Sequence, residues 1–454
     1  MFGTSGVRGP IGGTVTAELA LSIGRAIAVE AETVVIGRDV RDSGRALLDA
    51  LAAGLAESGV DILETGVATT PTIARAVAES EADAGIVVTA SHNPPEDNGI
   101  KLWTASGMAF GSDDGRRIED RIERSGYDLA EWDDHGRRRE YATVTGTTAT
   151  AAHRRAIVEA GERTLTSLGT TFEGTTVVVD LGNGTGRVTA DALSDLGADV
   201  ETLNGQRDGR FPSRPSEPTA ETCGSLSAHV TAIGADLGIA HDGDADRMMA
   251  VAEDGQFVGG DSLLAIFGHE AVNAESGGDR VAAPVNTSLA VDDALDSVGG
   301  EVVRTRVGDV AVARETREDR VVLGGEPSGA WIFPGETPCP DGPLAAVRLT
   351  ALSTAKSIGE RLAETPTYPI RRGNIEVDDR SAVMNAVEEM VTEEYADVET
   401  LDGVRVETPE GWFLIRASGT QPLVRMTAEA RDSETSQELL EEARSILENA
   451  IETV

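Results

Sequence analysis

The 454-residue chain carries 78 Asp and Glu against 39 Lys and Arg, a formal net charge of −39 at pH 7. That charge argues against DNA, RNA or an anionic membrane surface as a partner, and no run approaches the roughly 18 apolar residues of a membrane span. Length predicts three or four domains of about 100–150 residues each.

Among the basic residues only Lys101 and Lys356 are Lys; all others are Arg. Many carboxylates with little lysine suit a surface that stays hydrated in molar salt, where repulsion is screened within about 3 Å. With no apolar signal core in MFGTSGVRGP, a soluble protein of a high-salt cytoplasm is expected. Cys223 and Cys339 match no metal or redox spacing and are expected to be plain thiols.

In chain order, one layout repeats three times: short β-branched runs alternating with Ala- and Leu-rich helical stretches. The first domain (1–140) has TVVIG (33–37), VDIL (60–63) and AGIVV (84–88), and closes on TASHNP. Segment 126–150 is read as the connection to the second domain (150–250). There TTVVVDLGNG (175–184), ADVETL (198–203) and ADLGIA (235–240) close on HDGDADR. The third (251–366) runs DRVAAPVN (279–286), GEVVRT (300–305) and DRVVLG (319–324), closing on GEPSG. These are βαβ units on mostly parallel sheets, so the expected fold is three similar α/β/α domains around a cleft. TPTYPIRRG (365–373) leads into a smaller α+β domain (367–454), with strand-like 403–417 and 423–430 and a last helix capped by Ser433.

Ligands of open α/β sheets sit beyond the carboxyl ends of the strands, where each repeat has its most polar loop. In HDGDADR the alternating Asp242, Asp244 and Asp246 can turn three carboxylates to one point, an oxygen-only set suited to Mg²⁺ or Ca²⁺. A helix-loop-helix calcium site is rejected, because Arg247 takes the required Gly position and the flanks read as strands. A solvated acidic turn is the alternative. Arg247 is suited to hold a phosphate beside the metal.

TASHNP places Ser91 next to His92, but neighbours in an extended segment point to opposite faces and make no nucleophile–base pair. A polar turn ending at Asn93-Pro94 is the simple reading. Lys101, in DNGIK, stands out because this chain uses Arg wherever a positive charge suffices. A compact amine able to lose its proton fits acid–base work. GGEPSG offers Glu326 and Ser328 for sugar hydroxyls. RASGTQP, with Arg416, Ser418, Gly419 and Thr420 and then Arg425, reads as an anion nest or a plain hairpin turn. LGNGTGR (181–187) has Arg187 at the third Gly position of a dinucleotide fingerprint and is read as a structural turn.

FGTSGVRG, TASHNP with DNGIK, DGDADR, GGEPSG and RASGTQP, in that order, resemble the α-D-phosphohexomutase superfamily over essentially the whole chain. The resemblance implies a phosphoserine at Ser91 that exchanges its phosphoryl group with the 1- and 6-positions of a hexose phosphate. It implies one Mg²⁺ held by Ser91, Asp242, Asp244 and Asp246, and a hexose 1,6-bisphosphate as intermediate and activator. The implied catalytic set is Ser91, Lys101, Arg8, His92 and Arg247. The implied substrate contacts are Glu326, Ser328, Asp309, Arg416, Ser418, Gly419, Thr420 and Arg425. The partner is then a small sugar phosphate, and the chain a monomer or homodimer.

Ala330 stands where many members carry His after the sugar loop, Gln421 where Glu is usual, and Ala417 where Pro is common. Asp309 replaces a His of phosphomannomutase-like members, and with DNGIK and the compact start it points to glucosamine phosphate as substrate. The competing functions are glucose or mannose phosphate mutase, a metal-dependent sugar phosphatase, and a non-catalytic sugar-phosphate binder.

Overall fold

The computed structural model describes residues 6–274, 277–418 and 422–454. The chain divides into two compact units, Met1–Gly260 with Ser328–Leu362, and Asp261–Pro327 with Ala363–Val454. No helix among the described residues is long and apolar enough to cross a membrane.

The first unit holds two sheets. One contains β1 (Val7–Pro10), β2 (Thr33–Arg38), β3 (Asp61–Val67), β4 (Ala84–Val88), β5 (Asp97–Thr104) and β6 (Arg138–Glu140), in the order β1-β5-β4-β2-β3-β6. Strands β2, β3, β4 and β6 run parallel, whereas β5 is antiparallel to both neighbours. Every residue of β4 is buried, as a continuous apolar run in a sheet covered on both faces should be. Its carboxyl end delivers the Ser91 loop, and β5 brings the chain straight back with Lys101 opposite Val87. DNGIK therefore forms the first part of β5. Segment 126–150, read as a connection, adds β6 to this sheet.

The other sheet contains β7 (Thr176–Asp180), β8 (Asp199–Leu203), β9 (Leu237–His241), β10 (Met248–Ala252) and β11 (Phe257–Val258), in the order β11-β10-β9-β7-β8. Strands β9 and β10 form an antiparallel hairpin closed at His241 and Met248, so the acidic loop is its turn. Helix Thr70–Ala78 begins with a Thr69 cap and Pro71 in its first turn, both good helix starters. Buried His153 then ties it to the next layer, with Nδ1 2.7 Å from Thr72 Oγ1 and Nε2 2.9 Å from Asp341 Oδ2.

In the second unit β12 (Arg280–Pro284), β13 (Glu301–Thr305) and β14 (Val321–Gly325) are parallel, with β12 central. The next strand, β15 (Trp331–Ile332), belongs to the first unit. An antiparallel sheet follows from β16 (Ile370–Glu376), β17 (Val398–Glu399), β18 (Val404–Glu407), β19 (Gly411–Ala417) and β20 (Leu423–Ala430), in the order β16-β20-β19-β18-β17. Stretch 403–417, read as one strand, is the β18–β19 hairpin. One face packs Phe413, Ile415 and Met426 against Val387 and Val391 of helix Arg380–Glu394 and Ala443 and Leu447 of helix Ser433–Thr453. The cap of that last helix is Asp432, not Ser433, because only the Asp432 carboxylate reaches the free N–H groups of Glu434 and Thr435.

Within the second unit, fully buried Glu429 accepts from Ser288 Oγ, Leu289 N and Trp412 Nε1, at 2.5, 2.7 and 2.8 Å. Arg405 stacks on Trp412 at 4.0 Å and donates to the Val285 carbonyl. Both cysteines are buried and free, and burial pushes Cys223 up to about 11 and Cys339 to about 12, so neither is a reactive thiol at neutral pH.

Burial, with the Glu429 charge nearby, raises the Asp261 carboxyl to about 6. The folded chain thus holds this proton more tightly than the unfolded one, whose carboxyl titrates near about 3.9. Ionised Asp261 therefore costs stability as pH rises through about 6, and the cost vanishes below the unfolded value. Asp261→Asn keeps the acceptor for the Ser288 N–H. It is expected to raise Tm at pH 8, by at most ~3 kcal/mol of stability, and to leave Tm unchanged near pH 4. An equal shift at both pH values would contradict this account.

Candidate active site

The serine loop and the acidic loop meet within the first unit. Ser91 is 1% exposed and adopts a left-handed φ of 51°. Its hydroxyl donates to Asp242 Oδ2 at 2.6 Å, and Asp246 Oδ1 and His92 Nδ1 both lie at 3.4 Å. The segment is not extended, so Ser91 and His92 do not face opposite ways as expected from alternation. The backbone turns at Ser91 because Thr89 Oγ1 accepts the Ser91 N–H at 2.8 Å and draws the chain round.

Asp242, Asp244 and Asp246 are all buried, and each offers an oxygen within 4.8 Å of the others. The tight hairpin turn produces this convergence, with Ala245 also at positive φ, 53°. LGNGTGR is a structural turn, and it braces the acidic loop: Thr185 N donates to the Gly243 carbonyl at 3.0 Å. A Cβ on Gly184 would lie 2.6 Å from that same oxygen, so only Gly allows the two loops to touch.

The donor set fits a divalent cation. Asp244 Oδ2 accepts from Thr70 Oγ1 at 2.5 Å and from Lys101 Nζ at 3.4 Å, whereas Asp244 Oδ1 is buried with no partner among the described residues. An orphaned buried carboxylate oxygen in an all-oxygen cluster is the chemistry that hard cations take. Burial and the Asp246 and Asp244 charges push Asp242 well above the usual carboxylate range. Burial pushes Asp244 up as well, but the Lys101 ammonium, the Thr70 hydroxyl and Arg8 outweigh it and hold that carboxyl low.

Lys101 is 3% exposed, and its ammonium also donates to Asp246. One carboxylate thus lies between Lys101 and Ser91 Oγ. Burial, with the Arg247, Arg8 and Lys101 charges, pushes the His92 imidazole down to about 2, so the ring is neutral. Arg8 brings a buried Nε with no partner among the described residues. Arg247 N donates to Asp242 Oδ1 at 3.2 Å while its guanidinium lies 3.3 Å from Glu217. Ala330 pairs with Arg247 as an isolated bridge and carries no acid–base group.

In the second unit Glu326 Oε1 accepts the Gly308 N–H at 2.7 Å, next to Asp309 at the start of helix Asp309–Glu315. Ser328 belongs to the first unit. Gly419, Thr420 and Gln421 lie outside the described residues. Ser418 is buried and its N–H is 2.9 Å from the Leu423 carbonyl. Arg416 is 3.5 Å from Asp402.

Register places Arg416 opposite Arg425 and Asn374 opposite Arg425, with Arg372 opposite Thr427 two residues along the same face. These residues, with Asn286, line a cleft of about 360 Å³. Arg372 was not singled out from the sequence, although strand alternation in IRRGNIE would have put it on the face of Asn374. Arg41, Thr70 and Ser216 were missed too. Their contacts with the site are made to distant segments, which leave no local pattern.

Models of the phosphoglucomutase/phosphomannomutase family match the chain in four successive parts. α/β/α domain I matches residues 1–128, domain II 161–255, domain III 259–368, and the C-terminal domain 373–446. A probable phosphoglucosamine mutase of Methanopyrus kandleri is 43% identical over 100% of this chain and 99% of its own length. The chain belongs to the α-D-phosphohexomutase superfamily. A second probable phosphoglucosamine mutase, from Methanosarcina acetivorans, is 43% identical over 99% of each chain. A solved phosphoglucomutase/phosphomannomutase family protein of Burkholderia thailandensis is 29% identical with a TM-score of 0.85, over 99% of this chain and 97% of that one. This phosphohexomutase is thus an enzyme of the phosphomutase, isomerase class, with three α/β/α domains and a C-terminal fourth.

Thr70 fixes the rotamer of Asp244 through its hydroxyl and anchors the loop through its N–H to the Asp244 carbonyl at 2.9 Å. Thr70→Val is expected to weaken divalent-cation binding by about tenfold. Titration of Mn²⁺ into the metal-free protein measures it, and native affinity in the variant would contradict the role.

Proposed function

We propose that this phosphohexomutase interconverts glucosamine 6-phosphate and glucosamine 1-phosphate through a phosphorylated Ser91 and a hexose 1,6-bisphosphate intermediate. The observation that carries the reading is the Ser91 hydroxyl 2.6 Å from Asp242, beside a buried triad in which Asp244 Oδ1 has no partner among the described residues. Relatives named for glucosamine phosphate match at 43% identity over the full length, and Asp309 supports the same substrate.

In the transfer, the P–O bond to Ser91 Oγ breaks and one to the sugar hydroxyl forms, while the hydroxyl proton ends on Ser91 Oγ. Lys101, one carboxylate from Ser91, relays that proton; its stem sits in rigid β5, which keeps the amine in place. Arg8 and Arg247 meet the phosphoryl oxygens. His92, held neutral, borders the serine without adding charge. In the second unit Glu326 binds sugar hydroxyls, and Arg416, Arg425 and Arg372 bind the phosphate that is not transferred. Asp242, Asp244 and Asp246, with the serine phosphoryl, would hold Mg²⁺, which supplies charge neutralisation at the transferring group.

The decisive assay compares rates on glucosamine, glucose and mannose phosphates in high KCl with Mg²⁺ and catalytic glucose 1,6-bisphosphate. Glucosamine phosphate should have the highest kcat/KM. Steady phosphate release without isomerisation would sink the mutase reading. Ser91→Ala is expected to lose nearly all turnover. Lys101→Arg should lose about 10²-fold or more in kcat, because a guanidinium cannot relay the proton. Turnover near that of the native chain would rule out Lys101 as the relay.

A further inference from the structure

Ser91 owes its position to a side chain fifty residues away. Arg41 is fully buried, and its guanidinium donates to three carbonyls of the serine loop and to that of Asp97, where β5 begins. Nη2 reaches Ser91 O at 2.8 Å and Asn93 O at 2.6 Å, and Nη1 reaches Pro94 O at 2.6 Å and Asp97 O at 2.9 Å. The third nitrogen, Nε, is 3.1 Å from Asp39 Oδ2, which also accepts from Thr89 Oγ1 at 2.7 Å. Thr89 Oγ1 in turn accepts the Ser91 N–H. The Phe211 ring lies 5.0 Å from the guanidinium carbon, and a Cβ on Gly209 would lie 2.6 Å from the Arg41 Cα, so this pocket is closed around Arg41.

A second strut joins the loop to the acidic turn. Ser216 Oγ donates to the Ser91 carbonyl at 2.9 Å and accepts the Gly243 N–H at 2.9 Å. One hydroxyl therefore sets the distance between the backbone that carries Ser91 and the backbone that carries Asp242 and Asp244.

The conformation being held is one a non-glycine residue rarely adopts, at φ 51°. Residues in such regions persist only where their surroundings over-determine them. Five donors in a planar fork, all directed at loop carbonyls or at the carboxylate beneath the loop, over-determine this one. A lysine has no such fork.

We propose that Arg41 is a positioning residue for phosphoryl transfer: it presets Ser91 in its left-handed conformation, and Ser216 registers that loop on the metal-binding turn. Both side chains are buried, and the hydrogen bonds of Arg41 and Ser216 described above are to protein backbone and to Asp39. The inference rests on the reading of Ser91 as the phosphoryl carrier.

The experiment compares Arg41→Lys, Ser216→Ala and Ser216→Thr with the native chain and with Ser91→Ala. It measures kcat and KM on hexose phosphate, and the rate at which glucose 1,6-bisphosphate phosphorylates Ser91, followed by intact-protein mass. Circular dichroism and Tm report folding. A misplacement near 1 Å costs about 10²-fold, so Arg41→Lys should lose about that much in kcat and in the phosphorylation rate, with KM within about twofold of native. Ser216→Ala should lose severalfold in both rates, and Ser216→Thr, which keeps the hydroxyl, should recover most of the loss.

A folded Arg41→Lys with native rates overturns the proposal, as does a fall confined to Tm. If Arg41→Lys does not fold, the Ser216 pair decides: native rates in Ser216→Ala, or no recovery in Ser216→Thr, overturn it. Full activity in Ser91→Ala overturns the carrier reading and this proposal together, whereas an inactive Ser91→Ala beside native Arg41→Lys overturns the positioning role alone.

Discussion

Three carboxylates held within 4.8 Å of one another, almost out of contact with water, are the arrangement on which the candidate site of the first unit depends. Left alone, such a cluster would repel itself and protonate, and Asp242 is indeed pushed in that direction. Its neighbours are chosen to prevent this. Lys101 supplies a buried positive charge, Thr70 a hydroxyl, and Arg8 and Arg247 further charge nearby. Among the described residues Asp244 Oδ1 has no partner, and that shortfall is what a cation can fill.

Architecture explains why these groups can be brought together. The carboxyl end of β4 and the β9–β10 turn come from different sheets, and each is backed by strands buried along their whole length. The polar loops are thus short bridges between rigid elements, and their free conformations are few. Helix Thr70–Ala78 adds its first residue to the same point, and the 181–187 turn presses on the acidic loop from behind. Placing Lys101 on β5 instead of a loop gives the amine a fixed stem opposite Val87.

How much of this the sequence revealed follows from the range of each interaction. The β-branched runs marked β2 and β4 to within a residue, because burial on both faces leaves a continuous apolar stretch, whereas β3 runs four residues past VDIL and the exposed, polar β6 gave no such signal. The antiparallel additions were harder: β5 begins with polar Asp97 and Asn98, and its apolar part is interrupted by Lys101. The site loops were legible because their chemistry is contiguous, as in HDGDADR. What could not be read were the supports. Arg41 reaches its carbonyls across 50 or more residues, Ser216 across 125 and Thr70 across 174, and although Asp39 pairs with Arg41 locally, nothing nearby in sequence points to these distant partners. The Ser91 turn defeated the alternation rule because the Thr89 hydroxyl and the long-range Arg41 clamp together set its backbone.

The arginine-lined cleft of the second unit has a kinetic meaning when set against the charge of the whole chain. Three guanidinium groups face one space on a protein with a net charge of −39. At about 0.01 M salt the Debye length is about 30 Å, so an approaching dianion feels the chain's overall repulsion before it feels the arginines. Near 1 M that length shrinks to about 3 Å, and only the local attraction survives. With these arginines holding the phosphate as proposed, added salt should speed its capture, the reverse of its effect where a basic surface draws anions in from afar.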